Sequence, residues 1–308
     1  MNRSGTRAVV IFLFIGILFI VVEIVLRNVW GFGEMLLFQE DRDFEYIAKP
    51  NQHVVRFGND NIYNEYSMRS LPLTEQDKCI VLGFGDSVLN GGTLTDQDSL
   101  ATTIVEKSLR ESYSGARFLN VSAASWGPDN CAAYLNRYGS FNAKMILLFV
   151  SSHDAYDNMT HEKTVGVHKS YPEKQYPLAL LELMSRYVMP RIMNAIGSGD
   201  NANELMINKD GTEFNPGFEF FKTYSEANNI PLLVCLHAER KEVEQGKFNS
   251  KGEAILSFCA KNNIKVITGI DVAEKLSDFR DDIHINETGQ RRWAKVLSKE
   301  IEDIVSCQ

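Results

Sequence analysis

The run GFGDSVLNGG, residues 83–92, places Asp86 and Ser87 directly after the apolar stretch CIVL. Glycine, aspartate and serine are ordinary turn formers, so this segment alone supports either a plain turn or an exposed nucleophile. Serine is weakly nucleophilic at neutral pH and needs a base beside it. A candidate base stands near the far end of the chain, in DFRDDIHINETG, residues 278–289, where Asp281 and Asp282 precede His284. Two further polar segments lie between: the small-residue turn NVSAASWGPD, residues 120–129, and SSHDAYDN, residues 151–158.

Something must bring these distant segments together. Short apolar runs occur at Ile80–Phe84, Arg117–Val121, Met145–Val150, Pro231–Leu236 and Ile264–Thr268, with helix-like stretches between them. Leu100, Ile104, Val105 and Leu109 share one helical face after Asp98 and Ser99. Pro128 suits a first helical position and Gly139 a helix end. The last helix carries Trp293, Val296, Leu297, Ile301 and Ile304 on one face, with Thr288 as the expected cap. Strands alternating with helices predict a parallel sheet covered on both faces. In such a sheet, ligands bind beyond the carboxyl ends of the strands. The serine, the small-residue turn, His153 and the Asp–His pair all follow apolar runs, so all four converge on that one edge.

The rest of the chain sets the context. Its 308 residues and 44% hydrophobic content allow a sizeable core, and a net charge of −8 disfavours a nucleic-acid surface. Residues 8–26 form one nearly unbroken apolar stretch of the length that crosses a bilayer, with no small-residue cleavage site after it. This predicts an uncleaved signal anchor over residues 1–27, making the membrane a partner through residues 8–26. Arg3 and Arg7 before the span place the N-terminus in the cytoplasm and the bulk of the chain outside, although Arg27 beyond it weakens the asymmetry. Glu23 either snorkels to the interface or marks a polar contact. Residues 28–75 read as an aromatic-rich connector with short strands, and residues 76–308 as the main domain, with an insertion at about 155–228. Within that insertion, YPLALLELMSRYVMPRIMNAIG is amphipathic and is expected to pack on the parent domain. Five cysteines show no metal-ligand spacing; Cys79 and Cys235 read as small buried thiols, and the odd count argues against a full disulfide framework. His161, His168 and His237 read as scattered surface residues.

From Cys79 onward the chain resembles the SGNH (GDSL) hydrolase superfamily, of the kind carrying an N-terminal membrane anchor. Gly85-Asp86-Ser87 matches the first block, and Asp281 with His284 matches the D-x-x-H of the last. Pro50-Asn51 and NEYSMR also resemble segments ahead of the first block in anchored members. The resemblance implies a three-layer, doubly wound, flavodoxin-like fold with a mainly five-stranded parallel sheet. It implies Ser87 as nucleophile, His284 as general base and Asp281, rather than Asp282, as the residue that orients the imidazole. It also implies three oxyanion donors: the Ser87 N–H, a glycine N–H from the second block and an asparagine side chain from the third. Here the second falls on Ser125 and the third on His153. A backbone N–H does not require glycine, and an imidazole can donate one N–H.

No G-x-S-x-G elbow, P-loop or dinucleotide fingerprint is present, and no metal or cofactor is expected. NMT at Asn158 and NET at Asn286 fit a glycosylation pattern that is common by chance. The resulting expectation is a membrane-anchored serine esterase acting outside the cytoplasmic membrane on small acyl esters. Its location suggests O-acetyl groups on surface or exported polysaccharide. An O-acyltransferase using the same serine, a lipid esterase and a non-catalytic glycan-binding descendant stand as alternatives.

Overall fold

The computed structural model describes residues 3–196, 207, 209 and 211–304. It begins with helix α1 (Arg3–Trp30), which holds a 22-residue apolar stretch, Val9–Trp30, of mean hydropathy 3.3. At about 1.5 Å per residue that stretch is roughly 33 Å long, enough to cross a bilayer. Two antiparallel hairpins follow, β1 (Phe38–Asp41) with β2 (Glu45–Ala48), and β3 (Gln52–Arg56) with β4 (Asn59–Tyr63).

The five apolar runs become five parallel strands: β5 (Cys79–Gly85), β6 (Ala116–Ser122), β7 (Met145–Ser151), β8 (Leu232–His237) and β9 (Lys265–Thr268). Every residue of β5, β6 and β7 is buried, because helices cover both faces. The helices in chain order are α2 (Ser87–Asn90), α3 (Ala101–Ser112), α4 (Pro128–Tyr138), α5 (Ala179–Leu183), α6 (Met189–Ala195), α7 (Gly217–Asn228), α8 (Arg240–Gln245), α9 (Ser250–Lys261) and α10 (Glu287–Ile304). On one face of the sheet, Val105 and Leu109 of α3 and Trp293 and Leu297 of α10 pack with Val81, Leu147 and Cys235. On the other, Tyr134 of α4, Phe221 of α7 and Ile255 of α9 pack with Leu82, Phe84 and Leu148, and the hairpin residues Phe44 and Tyr46 join them.

Spatial strand order is β6-β5-β7-β8-β9. Within the sheet this is second, first, third, fourth, fifth, the flavodoxin-like doubly wound order. The chain reverses direction across the sheet at β5, so the loop after β5 lies at the topological switch point. Ser87 is on that loop.

Three sequence expectations change. Asn286, not Thr288, caps α10: its Oδ1 accepts from the backbone N–H of Thr288 at 2.8 Å and of Gly289 at 3.3 Å. His237 is fully buried rather than on the surface. Cys79 is disulfide-bonded rather than a free thiol, while Cys131, Cys235 and Cys259 are free and buried.

Candidate active site

The first block packs as a strand end with no room to spare. A Cβ on Gly85 would lie 2.8 Å from the Phe149 carbonyl oxygen and 2.9 Å from Leu89 Cβ, so glycine alone fits there. Asp86 caps α2, its Oδ1 accepting from the Val88 N–H at 2.8 Å. Ser87 is therefore the first residue of α2, where a backbone N–H has no partner within the helix.

His284 and Asp281 come from a loop closed by the antiparallel bridge Phe279↔Ile285 and by Arg280 N–H donating to the His284 carbonyl at 2.8 Å. His284 Nε2 lies 2.9 Å from Ser87 Oγ, and its Nδ1 lies 2.8 Å from Asp281 Oδ2. Asp281 Oδ1 also accepts the backbone N–H groups of Ile283 at 2.9 Å and His284 at 2.7 Å. Partial burial pushes the Asp281 carboxyl up, but these N–H bonds and the imidazole outweigh it and hold the pKa below the usual aspartate range. Asp281 thus stays ionised at neutral pH and fixes Nδ1 as the protonated nitrogen, leaving Nε2 to face the serine. Serine, histidine and aspartate form one hydrogen-bonded line.

Strand order puts the two remaining segments on either side of Ser87, since β6 and β7 both flank β5. After β6, Ser125 has φ +58°, the left-handed conformation that glycine favours. The serine is held in it by tyrosines from other elements. Tyr46 of β2 donates to the Ala124 carbonyl at 3.0 Å, and Tyr171 reaches the same carbonyl at 2.9 Å and Ser125 Oγ at 3.2 Å. Neither the Ser87 nor the Ser125 N–H has an internal acceptor among the described residues.

After β7, His153 sits among three carboxylates. Its Nδ1 is 3.1 Å from Glu239 Oε1, while its Nε2 is 3.6 Å from Asp86 Oδ2 and 3.9 Å from Asp154 Oδ1. Burial disfavours the charged imidazole, but Asp154, Asp86 and Glu239 together raise its pKa well above the ordinary histidine value. The charged form is thereby favoured at neutral pH, with Asp86 Oδ2 at 3.6 Å the nearest acid oxygen to Nε2. The donor atoms of Asp86, His153 and Asp154 lie within 4.8 Å of one another. Burial, with Asp86 and Asp157 nearby, pushes the Asp154 carboxyl well above the usual aspartate range, although the imidazolium opposes this.

Sequence reasoning missed three positioning residues. Fully buried Arg69 donates to the carbonyls of Asn90 and Thr95, both at 2.6 Å, and of Gly92, bracing the segment after Ser87. Arg69 closes the NEYSMR segment, which was the only signal for it. Buried His237 joins Glu274 at 2.7 Å and donates through Nε2 to the Ile283 carbonyl at 2.8 Å, supporting the loop of Asp281 and His284. Glu239 holds His153, and nothing in its local sequence marks that role.

No protein-family model and no curated protein matches the chain. Among solved structures, the chain is similar to a lipase/acylhydrolase from Enterococcus faecalis, with a TM-score of 0.44 and 12% identity over 75% of this chain and 98% of that one. It is similar to the acetyl xylan esterase AlAXEase, with a TM-score of 0.42 and 14% identity over 72% of this chain and 99% of that one. A two-domain esterase (CEX) active on acetylated mannans gives a TM-score of 0.42 and 10% identity over 73% of this chain; the chain spans about half of its length, 49%.

Proposed function

We propose that this chain is a membrane-anchored serine esterase that hydrolyses small acyl esters through an acyl-enzyme. The observation that carries the reading is the Ser87–His284–Asp281 line, with contacts of 2.9 and 2.8 Å, at the switch point of the sheet. Ser87 Oγ attacks the ester carbonyl as His284 Nε2 takes its proton. Asp281 offsets the charge that then forms on the imidazole. The carbonyl oxygen becomes an oxyanion facing the free N–H groups of Ser87 and Ser125 and the Nε2–H of His153. Collapse expels the alcohol, which takes the proton from His284. Water, deprotonated by the same nitrogen, then releases the acid and restores Ser87.

Two observations support an extracytoplasmic site. Arg3 and Arg7 stand as a basic pair directly before the apolar stretch, which favours keeping that end in the cytoplasm, against Arg27 and Arg42 on the far side. The disulfide at Cys79 fits an oxidising compartment. O-acetyl groups on surface or exported polysaccharide are the substrates this location favours. The test is fluorophosphonate labelling of the detergent-solubilised chain, together with acetate release from acetylated glycan. Wild type is expected to label and turn over. Ser87→Ala and His284→Ala should lose both, with turnover down by roughly 10⁴-fold or more. Retained turnover in folded Ser87→Ala overturns the mechanism. Acetyl appearing on an added glycan acceptor instead of in solution would mark a transferase.

A further inference from the structure

The amphipathic stretch after Pro177 does not simply cover the parent domain. Ala179 and Leu180 at the start of α5 donate their backbone N–H groups to the Glu23 carboxylate at 2.7 and 3.0 Å, and Arg27 reaches the Pro177 carbonyl at 3.2 Å. Glu23 thus makes a polar contact rather than snorkelling freely. Val22 and Leu26 of α1 pack against Ala179, Leu180 and Leu183.

The depth of this joint is decisive. Glu23 is seven residues short of Trp30, the outer end of the apolar stretch, so it lies about 10 Å below that end at about 1.5 Å per residue. Anything bonded to Glu23 is carried to the same depth. The continuation through α6 shows what it meets there, since Leu181, Met184, Met189, Ile192, Met193 and Ile196 are all exposed. Of the charged residues on 178–196, Glu182 is fully buried against Arg56 at 2.7 Å, and only Arg186 and Arg191 remain. Arg186 turns inward, its guanidinium 3.1 Å from Met35 Sδ, so the exposed face of the segment is apolar with Arg191 as its charge.

We infer that residues 178–196 lie in the outer headgroup–acyl boundary of the bilayer crossed by α1, with the apolar face in lipid and Arg191 toward the headgroups. This rests on the membrane-anchor reading. An interfacial helix settles roughly 5–10 Å into that boundary, which matches the depth of the Glu23 joint. The inner side of the same segment matters to the site. Arg186 and Tyr187 line a cavity of about 220 Å³ together with Ala123 and Ala124, the residues just before Ser125. The wall of that cavity is therefore seated on the membrane.

The experiment places an environment-sensitive fluorophore on the full chain at Phe12→Cys, Ile192→Cys or Lys247→Cys. The native free cysteines are buried, so labelling is selective. Each labelled protein is reconstituted in vesicles of zwitterionic and anionic phospholipid containing lipids brominated at graded depths. Strong quenching at positions 12 and 192 but not at 247 is the expected result. Quenching at 12 without quenching at 192 overturns the inference and leaves the anchor standing. Equal quenching at 192 and 247 also overturns it, because it reports non-specific adhesion. No quenching at 12 removes the anchor reading itself.

Discussion

Ser125 and His153 stand where the resembled family has a glycine and an asparagine, and each solves its problem differently. Ser125 takes the glycine-like φ of +58°, which costs a non-glycine residue about 1 kcal/mol or more, while Tyr171 holds its hydroxyl. Ser125→Gly removes both effects. We expect stability to change by less than about 1 kcal/mol, since a hydrogen bond of this kind contributes about 0.5–1.5 kcal/mol. The backbone N–H survives, so kcat/KM should stay within a few-fold; a loss near 10²-fold would assign the hydroxyl itself a catalytic part. His153 gives a pH-dependent donor. Its pKa is raised in the fold, so the charged form and its contribution to stability are complete below the ordinary histidine range. Both are lost as pH rises through the raised value. Wild type is expected to lose kcat on the alkaline side, and His153→Asn should keep activity at neutral pH and remove that decline. Glu239→Gln takes away one of the acids that sustain the charge and should move that decline toward neutral pH. A wild-type profile identical to that of His153→Asn would exclude the imidazolium as donor.

At the scale of elements, the sheet and its edge were legible because buried parallel strands read as unbroken apolar runs. All five runs fall within or beside the strands found. The D-x-x-H spacing likewise placed an acid and an imidazole on one loop. What could not be read were contacts made across sequence distance. Arg69 reaches 21 to 26 residues ahead to the carbonyls behind Ser87, and Tyr46 reaches 78 residues to the Ala124 turn. His237 reads as a surface histidine in the sequence because a single ionisable residue at a strand end gives no sign of its buried partner Glu274. Residues 28–75 likewise read as a connector, yet Tyr46 of β2 and Arg69 beyond β4 shape the site. Arg69→Leu tests this dependence. It strands three carbonyls in buried surroundings, each costing about 1–3 kcal/mol when unsatisfied, so a loss of at least about 3 kcal/mol is expected in urea unfolding. Below the melting temperature the variant should also label more slowly with fluorophosphonate, because Ser87 no longer sits on a braced loop. Normal labelling in a merely less stable protein would restrict Arg69 to a structural part.

For the whole molecule, α1 and the domain that follows are one packed body rather than a domain on a tether. Immediately after α1, Phe32 is buried and packs edge-on against Tyr187 with ring centroids 5.4 Å apart. Gly33 donates its N–H to Glu182 at 2.6 Å, and Arg56 pairs with the same carboxylate. The candidate site is thereby held at a fixed height and orientation relative to α1. The proposed location outside the cytoplasm predicts a measurable effect of the disulfide on stability. Cys79 opens β5, the strand leading to Ser87, and its disulfide ties down the first strand of the sheet. Losing a native disulfide typically costs about 2–5 kcal/mol. At roughly 2–4 °C per kcal/mol for a domain of this size, reduction should lower Tm by several degrees or more. Because Cys131, Cys235 and Cys259 are already free, dithiothreitol acts on this bond alone among the described cysteines. Cys79→Ser should show the same lowered Tm and no further response to reductant. Protein made in a reducing cytoplasm should match the variant until it is oxidised. A wild-type Tm unmoved by reductant would mean that the bond contributes nothing, and the compartment assignment would then stand on the basic residues before the span alone.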